Sequence, residues 1–202
     1  MKQVKFLCCA VLIASALLSC NKNSGNLNSV AQILFKDVRS KLTDTEKNQI
    51  ADSLGFTIIG SDTLQPFALA EDSSSYEYPF GASAYPLDLN SDGVEEVFIS
   101  YGNTYTSGNT GSEITLFLKN KHGLYIKNLG FAGLLPDVLE TKTNTYPDLL
   151  IGGPGFEYPV QRWNGEKYVY HRIIKDSKYK STPKVNAETL SVKYREELTQ
   201  KN

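Results

Sequence analysis

The sequence predicts an α+β fold, mainly antiparallel β-sheet, with an N-terminal helical pair and a C-terminal helix. Three observations predict it. From Phe56 to Lys175, short runs rich in Val, Ile, Phe and Tyr alternate with clusters of Gly, Asn, Asp and Pro, the pattern of strands and turns. Ahead of them, Thr43-Asp-Thr-Glu46 has the spacing of a helix-starting capping box. Behind them, Ala187 to Thr199 is charged, without Gly or Pro, and ends the chain as a mostly solvated helix.

The bulk numbers bound the reading. The 202 residues are 41% apolar and 21% charged, an ordinary globular composition, enough for one domain with a tail. The formal charge of −1 gives a nucleic-acid partner no electrostatic support.

The chain opens with Lys2 and Lys5, then an apolar run from Phe6 to Leu18. That is the length of a signal-peptide core and short for a bilayer span. It ends in Leu17-Leu18-Ser19-Cys20, which resembles the lipobox of bacterial lipoproteins. The resemblance implies a signal peptide over 1–19 and a diacylated Cys20 as the first mature residue. Two or more acyl chains suffice for stable membrane anchoring. Cys8 and Cys9 leave with the signal, so no free thiol and no disulfide is expected in the mature chain. Without Lys2 and Lys5, 19 basic residues face 22 acidic ones, a net charge of −3. Residues 20–28 are small and polar and read as a flexible tether. No acidic cluster follows Cys20, so an outer-membrane anchor facing the periplasm is expected rather than the cell surface.

Residues 29–202 are expected to form one β-rich domain. Val30, Ile33, Leu34 and Val38 give Ser29 to Lys41 near-helical spacing. A second helix runs from the capping box to Leu54, stopped by Gly55, completing a helical pair over 29–55. Strand-like runs follow at Phe56 to Ile59, Phe67 to Ala70, Val94 to Tyr101, Ile114 to Leu118, Leu124 to Leu129, Leu149 to Ile151, Pro159 to Trp163 and Lys167 to Ile174. Tyr76 to Tyr85 is aromatic but broken by Pro79 and Gly81, and Gly102 to Gly111 reads as a loop. Asn-Lys-His-Gly after Lys119 and Asn164-Gly165 mark two hairpins. Asp176 to Pro183 is a polar linker before the final helix over 187–199.

Two segments echo each other. Glu96 and Asp148 each start a hydrophobic strand that ends in Gly, and an Asn-centred turn at Asn120 or Asn164 follows. The acids are 52 residues apart and the turns 44, the difference falling mostly in the polar loop around Thr104. This predicts two copies of one propeller-blade-like β unit. Two are too few to close a propeller, so an open sheet or compact β domain is expected.

The stretch with the most chemistry is Asp88-Leu-Asn-Ser-Asp-Gly-Val-Glu-Glu96. Asp88, Asn90, Asp92 and Glu96 stand at alternate positions, Gly93 allows a sharp turn, and the Val94 carbonyl falls between ligands. Hard cations such as Ca²⁺ take oxygen ligands from such loops. It is not an EF-hand, because Ile99 stands at the twelfth position. The plainer reading is a register-fixing turn rich in Asp, Asn and Gly. With Phe80-Gly81 ahead of it and a strand behind, the stretch resembles the FG-GAP/VCBS repeat of integrin-type propellers and bacterial extracellular proteins. Tyr146-Pro-Asp-Leu-Leu-Ile-Gly-Gly-Pro154 resembles the strand end of a second repeat without the ligands. The resemblance covers about a third of the chain and implies structural Ca²⁺ on Asp88, Asn90, Asp92, the Val94 carbonyl and Glu96.

Other motifs weigh less. His122 and His171 are the only histidines and stand in no catalytic pattern, so no enzyme is expected. Gly152-Gly-Pro-Gly155 lacks the Lys-Ser/Thr of a phosphate loop. Among the aromatics, Tyr76, Tyr78, Phe156 and Tyr158 lie in Pro-interrupted stretches and are the candidates for a binding face; Trp163, Tyr168 and Tyr170 read as core or cross-strand pairs. The expected function is a lipid-anchored envelope protein whose calcium-stabilised, non-enzymatic domain binds a protein or a glycan. An immunity-type inhibitor of a periplasmic toxin or hydrolase and a glycan-binding accessory protein are the alternatives.

Overall fold

A computed structural model describes residues 25–60, 62, 64–140, 145–152 and 157–200. The signal segment, Cys20 and Phe156 lie outside the described residues. The predicted class holds: helices flank antiparallel sheets, and among the described residues no sheet closes on itself.

Helix α1 (Ser29–Leu34) starts where the Asn28 side chain accepts the Ala31 amide. It is shorter than the apolar spacing predicts, because Phe35 already leaves helical geometry and Asp37 turns left-handed at φ 59°. Helix α2 (Asp44–Leu54) has the predicted capping box, Thr43 and Glu46 each bonding the other's amide, and ends on left-handed Gly55. A two-stranded ribbon, β1 (Phe56–Ile58) and β2 (Phe67–Leu69), and a helical turn α3 (Ser74–Glu77) lead into the first large sheet.

That sheet is a four-stranded antiparallel meander of β3 (Ala82–Leu87), β4 (Glu96–Tyr101), β5 (Glu113–Lys119) and β6 (Tyr125–Ala132). A second meander follows: β7 (Asp137–Leu139), β8 (Leu149–Leu150), β9 (Glu157–Trp163) and β10 (Tyr168–Lys175). The turn α4 (Asp176–Tyr179) then precedes β11 (Lys184–Asn186), which adds to β7 as a fifth strand, and α5 (Ala187–Gln200) closes the fold. Each predicted echo lands at the same place. Glu96 opens, and Asp148 immediately precedes, the second strand of its meander. Asn120 and Asn164 make the turn between the third and fourth strands, each side-chain oxygen accepting two backbone amides of its turn.

The first meander is the middle layer. Successive strand residues point to opposite faces, and both faces are covered, so β4 and β5 read as continuous apolar runs. Val97, Ile99 and Phe117 pack with Ile50, Leu54, Phe56 and Phe67 of the helical and ribbon layer. Phe98, Leu116 and Leu118 face the other way, toward Leu149 and Tyr168 of the second sheet and Ala187 of α5. A third, smaller cluster of Leu139, Leu150, Val160 and Ile174 lies on the far side of the second sheet.

Candidate functional site

The stretch Asp88 to Glu95 is the hairpin loop joining β3 to β4, closed by the Leu87–Glu96 pair. Ser91 and Gly93 take left-handed backbone, with φ of 62° and 86°, so a non-glycine residue also occupies the restricted region here. Short polar side chains tie the loop to itself. Asp88 accepts the Asp92 amide at 3.0 Å and the Gly93 amide at 2.9 Å. Asn90 also accepts from the Asp92 amide, and Asp92 from Val94 at 2.8 Å. The Asn90 amide group donates to the second Asp92 oxygen at 2.8 Å. A carboxylate oxygen that takes one amide retains acceptor capacity.

Glu96 does not join them. Its side chain is 1% exposed. One oxygen accepts the Leu89 amide at 2.6 Å and the other the Tyr146 hydroxyl at 2.9 Å. Burial pushes its carboxyl up to about 7, against the pull of those two donors. Burial and the facing carboxylate likewise raise the Tyr146 hydroxyl. Among the described residues no three His, Cys, Asp or Glu side chains are gathered so as to hold a metal ion. Of the predicted ligand positions, the ninth, Glu96, is spent on the fold, while the side chains of Asp88, Asn90 and Asp92 bond within the loop.

Alternation along β4 explains the division of labour. Glu95 and Glu96 are adjacent and face opposite layers, both nearly fully buried. Glu95 reaches the helical layer, where the Ser40 hydroxyl and the Lys41 amide each donate at 2.6 Å. Glu96 reaches the second meander through Tyr146. Asp148, at the matching place of that meander, is fully buried and takes Arg162 in a bidentate pair at 2.9 and 2.7 Å. The sequence marks Asp148 as the acid that starts an echoing strand but not as half of an ion pair, and it gives Glu95 no mark beyond an acid flanking an apolar strand.

The predicted aromatic face divides. Tyr78 stacks on Tyr105, ring centres 3.8 Å apart and 10° from parallel. Asn103 fixes both loops: its amide group donates to the carbonyls of Tyr78 and Pro79 at 3.0 Å, and its oxygen accepts from Tyr105 and Thr106. Tyr105 is 68% exposed, and Tyr76 47%. Tyr105 was hidden in a loop of Gly, Ser, Thr and Asn, where a lone aromatic is the only mark it leaves. Tyr158 stands elsewhere, on the second sheet, stacked on Tyr179 at 4.2 Å with its hydroxyl donating to Asp176. His122 lies in the β5–β6 turn and His171 at a bulge in β10.

No protein-family model, no curated protein and no solved structure matches this chain. Among the described residues no helix is long and apolar enough to cross a membrane.

Proposed function

We propose that this chain is a lipid-anchored envelope protein whose domain binds a protein or glycan ligand and carries out no chemistry. Cys20 is the anchor, on the outer membrane facing the periplasm, and the two meanders are FG-GAP/VCBS-like units in an open arrangement. Ca²⁺ on Asp88, Asn90, Asp92 and the Val94 carbonyl supplies charge neutralisation to the β3–β4 loop. Glu96 positions that loop from inside.

The observation that carries this reading is the stacked Tyr78–Tyr105 pair, held from both sides by Asn103 beside exposed Tyr76. Rigid exposed aromatics offer contact area at little entropic cost, which favours recognition. The test is a pull-down from envelope extract and a glycan array, run with the mature domain and with a Tyr78→Ala/Tyr105→Ala variant. A stoichiometric partner or glycan retained by the first and lost by the second supports the reading. Identical binding by both, or none by either, overturns it. Calorimetric titration tests the cation: heat at millimolar Ca²⁺ and a melting temperature lowered by EDTA are expected, and neither effect would remove Ca²⁺ from the account.

A further inference from the structure

The first meander places its turns at alternate ends. The β3–β4 loop and the β5–β6 turn stand at one end, and the β4–β5 loop with Tyr105 at the other. Helix α2 ties the first of these ends to the start of the folded chain. Its first turns hold the β5–β6 hairpin, Glu46 meeting Lys119 at 2.6 Å and Gln49 accepting the Tyr125 amide at 3.2 Å. The same turns hold the chain's entry: Asn48 donates to the Asn26 carbonyl at 3.1 Å, and Thr45 lies against Gly25. Gly25 follows Cys20 by five residues.

That hairpin leaves two apolar side chains in water, Leu124 at 47% exposure and Ile126 at 43%. Ile126 pairs with Leu118 and so shares the face that packs toward the second sheet. The second sheet's polar ties to β6 fall at Asn128, which donates to the Glu166 carbonyl at 3.2 Å and accepts the Tyr168 amide at 3.0 Å. Leu124 and Ile126 lie beyond it, toward the turn. Lys121 and Lys127 flank them, exposed, and no Asp or Glu occurs between Glu113 and Asp137. Of the acids on the elements packed against the hairpin, Glu46 is engaged with Lys119, and Glu166 leaves the lysines in excess. Asp88 and Asp92 stand at the same end, two strand spacings away, about 10 Å, which exceeds the Debye length at physiological ionic strength.

Exposed apolar side chains flanked by lysines suit the boundary of a bilayer. The apolar groups gain by entering it, and the ammonium groups are drawn to anionic headgroups. We propose that the β5–β6 turn seats on an anionic phospholipid surface, with Leu124 and Ile126 entering the headgroup region and Lys121 and Lys127 toward the lipid phosphates. The seat rests on the anchoring of Cys20 proposed above. The tether enters at this end of the meander, and the high effective concentration it creates lets a weak contact persist. Seated so, the Tyr78–Tyr105 ledge at the opposite end faces away from the membrane.

The full chain is purified from membranes as a His122→Cys variant. Its intact mass reads acylation of Cys20, and the introduced thiol, the one left free in the mature chain, takes an environment-sensitive fluorophore. An Asn109→Cys variant carries the same probe on the exposed β4–β5 loop at the far end. Each is reconstituted into vesicles of phosphatidylcholine with about a quarter phosphatidylglycerol, and into vesicles of phosphatidylcholine alone. Emission at position 122 is expected to shift to shorter wavelength and to be quenched by spin-labelled lipid, more strongly with phosphatidylglycerol, while emission at position 109 stays as in water. Leu124→Gln/Ile126→Gln in the His122→Cys chain is expected to lose the shift with the thermal midpoint unchanged, because both side chains are already half-exposed. An unacylated Cys20 overturns the anchor and the seat with it. With Cys20 acylated, aqueous emission at position 122, the same shift at both positions, or a shift that survives the double substitution overturns the seat alone. An equal shift in phosphatidylcholine alone overturns the role given to the lysines.

Discussion

At the scale of single residues, the fold is organised around three buried acids. A buried carboxylate is costly unless hydrogen-bonded or paired, and each has its own solution: Glu95 takes an amide and a hydroxyl of the Ser40–Lys41 segment, Glu96 an amide and a phenol, Asp148 a guanidinium. Tyr146→Phe removes the hydroxyl from Glu96 and leaves an acceptor oxygen short of a partner inside the fold. It is expected to lower stability by about 1–2 kcal/mol, read as a shift of the urea midpoint at constant slope. Arg162→Met takes the guanidinium away from buried Asp148 and is expected to cost more, about 3 kcal/mol, toward the low end for a broken buried pair because the arginine is partly wet. A loss equal to that of Tyr146→Phe would mean that water replaces the guanidinium. Spacing alone could not separate Glu96 from the loop ligands. Counting positions gives the order of oxygens along the chain, whereas Glu96 is also the first residue of a strand buried on both faces, and the strand decides where its side chain goes.

At the scale of elements, local chemistry was legible wherever it is self-contained. The Thr43–Glu46 box forms as its spacing predicts, and Asn164-Gly165 turns the chain with Gly165 at φ 104°. Thr43→Ala is expected to cost about 1 kcal/mol, measurable by thermal melting. Elements defined by their neighbours were not legible. Strand β3 carries Pro86 in its interior, which argues against a strand from sequence, yet it is an edge strand, where a missing amide is tolerated. Strands β7 and β11 are three residues each, too short for any periodicity, and exist because they pair with each other and with β8. Helix α1 stops early because Phe35 and Leu34 turn into the core beneath α2 and the central sheet, ending the helix before its apolar spacing does.

At the scale of the molecule, layers are tied by a few long-range polar contacts. Lys119 of β5 meets Glu46 of α2 at 2.6 Å, and the Ser191 hydroxyl of α5 donates to the Pro86 carbonyl of β3 at 2.8 Å. Burial raises the Glu46 carboxyl, but Lys119 and the Thr43 cap outweigh it and hold the group below its ordinary value of 4.5. A depressed carboxylate contributes stability above its unfolded pKa, and that contribution fades as pH falls through the lower folded value. Glu46→Gln keeps a capping side chain at that position and removes the charge. It is expected to cost about 0.5–1 kcal/mol at neutral pH, with the gap to the parent closing below pH 4.5; a gap unchanged down to pH 2 would place the effect in the cap. The layering itself was beyond the sequence: the runs that become β4 and β5 read as strands, but nothing in them says that helices cover one face of their sheet and a second meander the other. The hydrogen bonds at the N-terminal edge have a further consequence. Asn48 holds the Asn26 carbonyl and the Asn28 amide, so the folded body begins at residues assigned to the tether. Only Asn21 to Gly25 remain between Cys20 and that first fixed point, a span of about 20 Å at full extension. On the proposed anchoring the domain cannot roam the compartment. Anchored so, it would ride low over the bilayer and meet only what comes to the membrane surface.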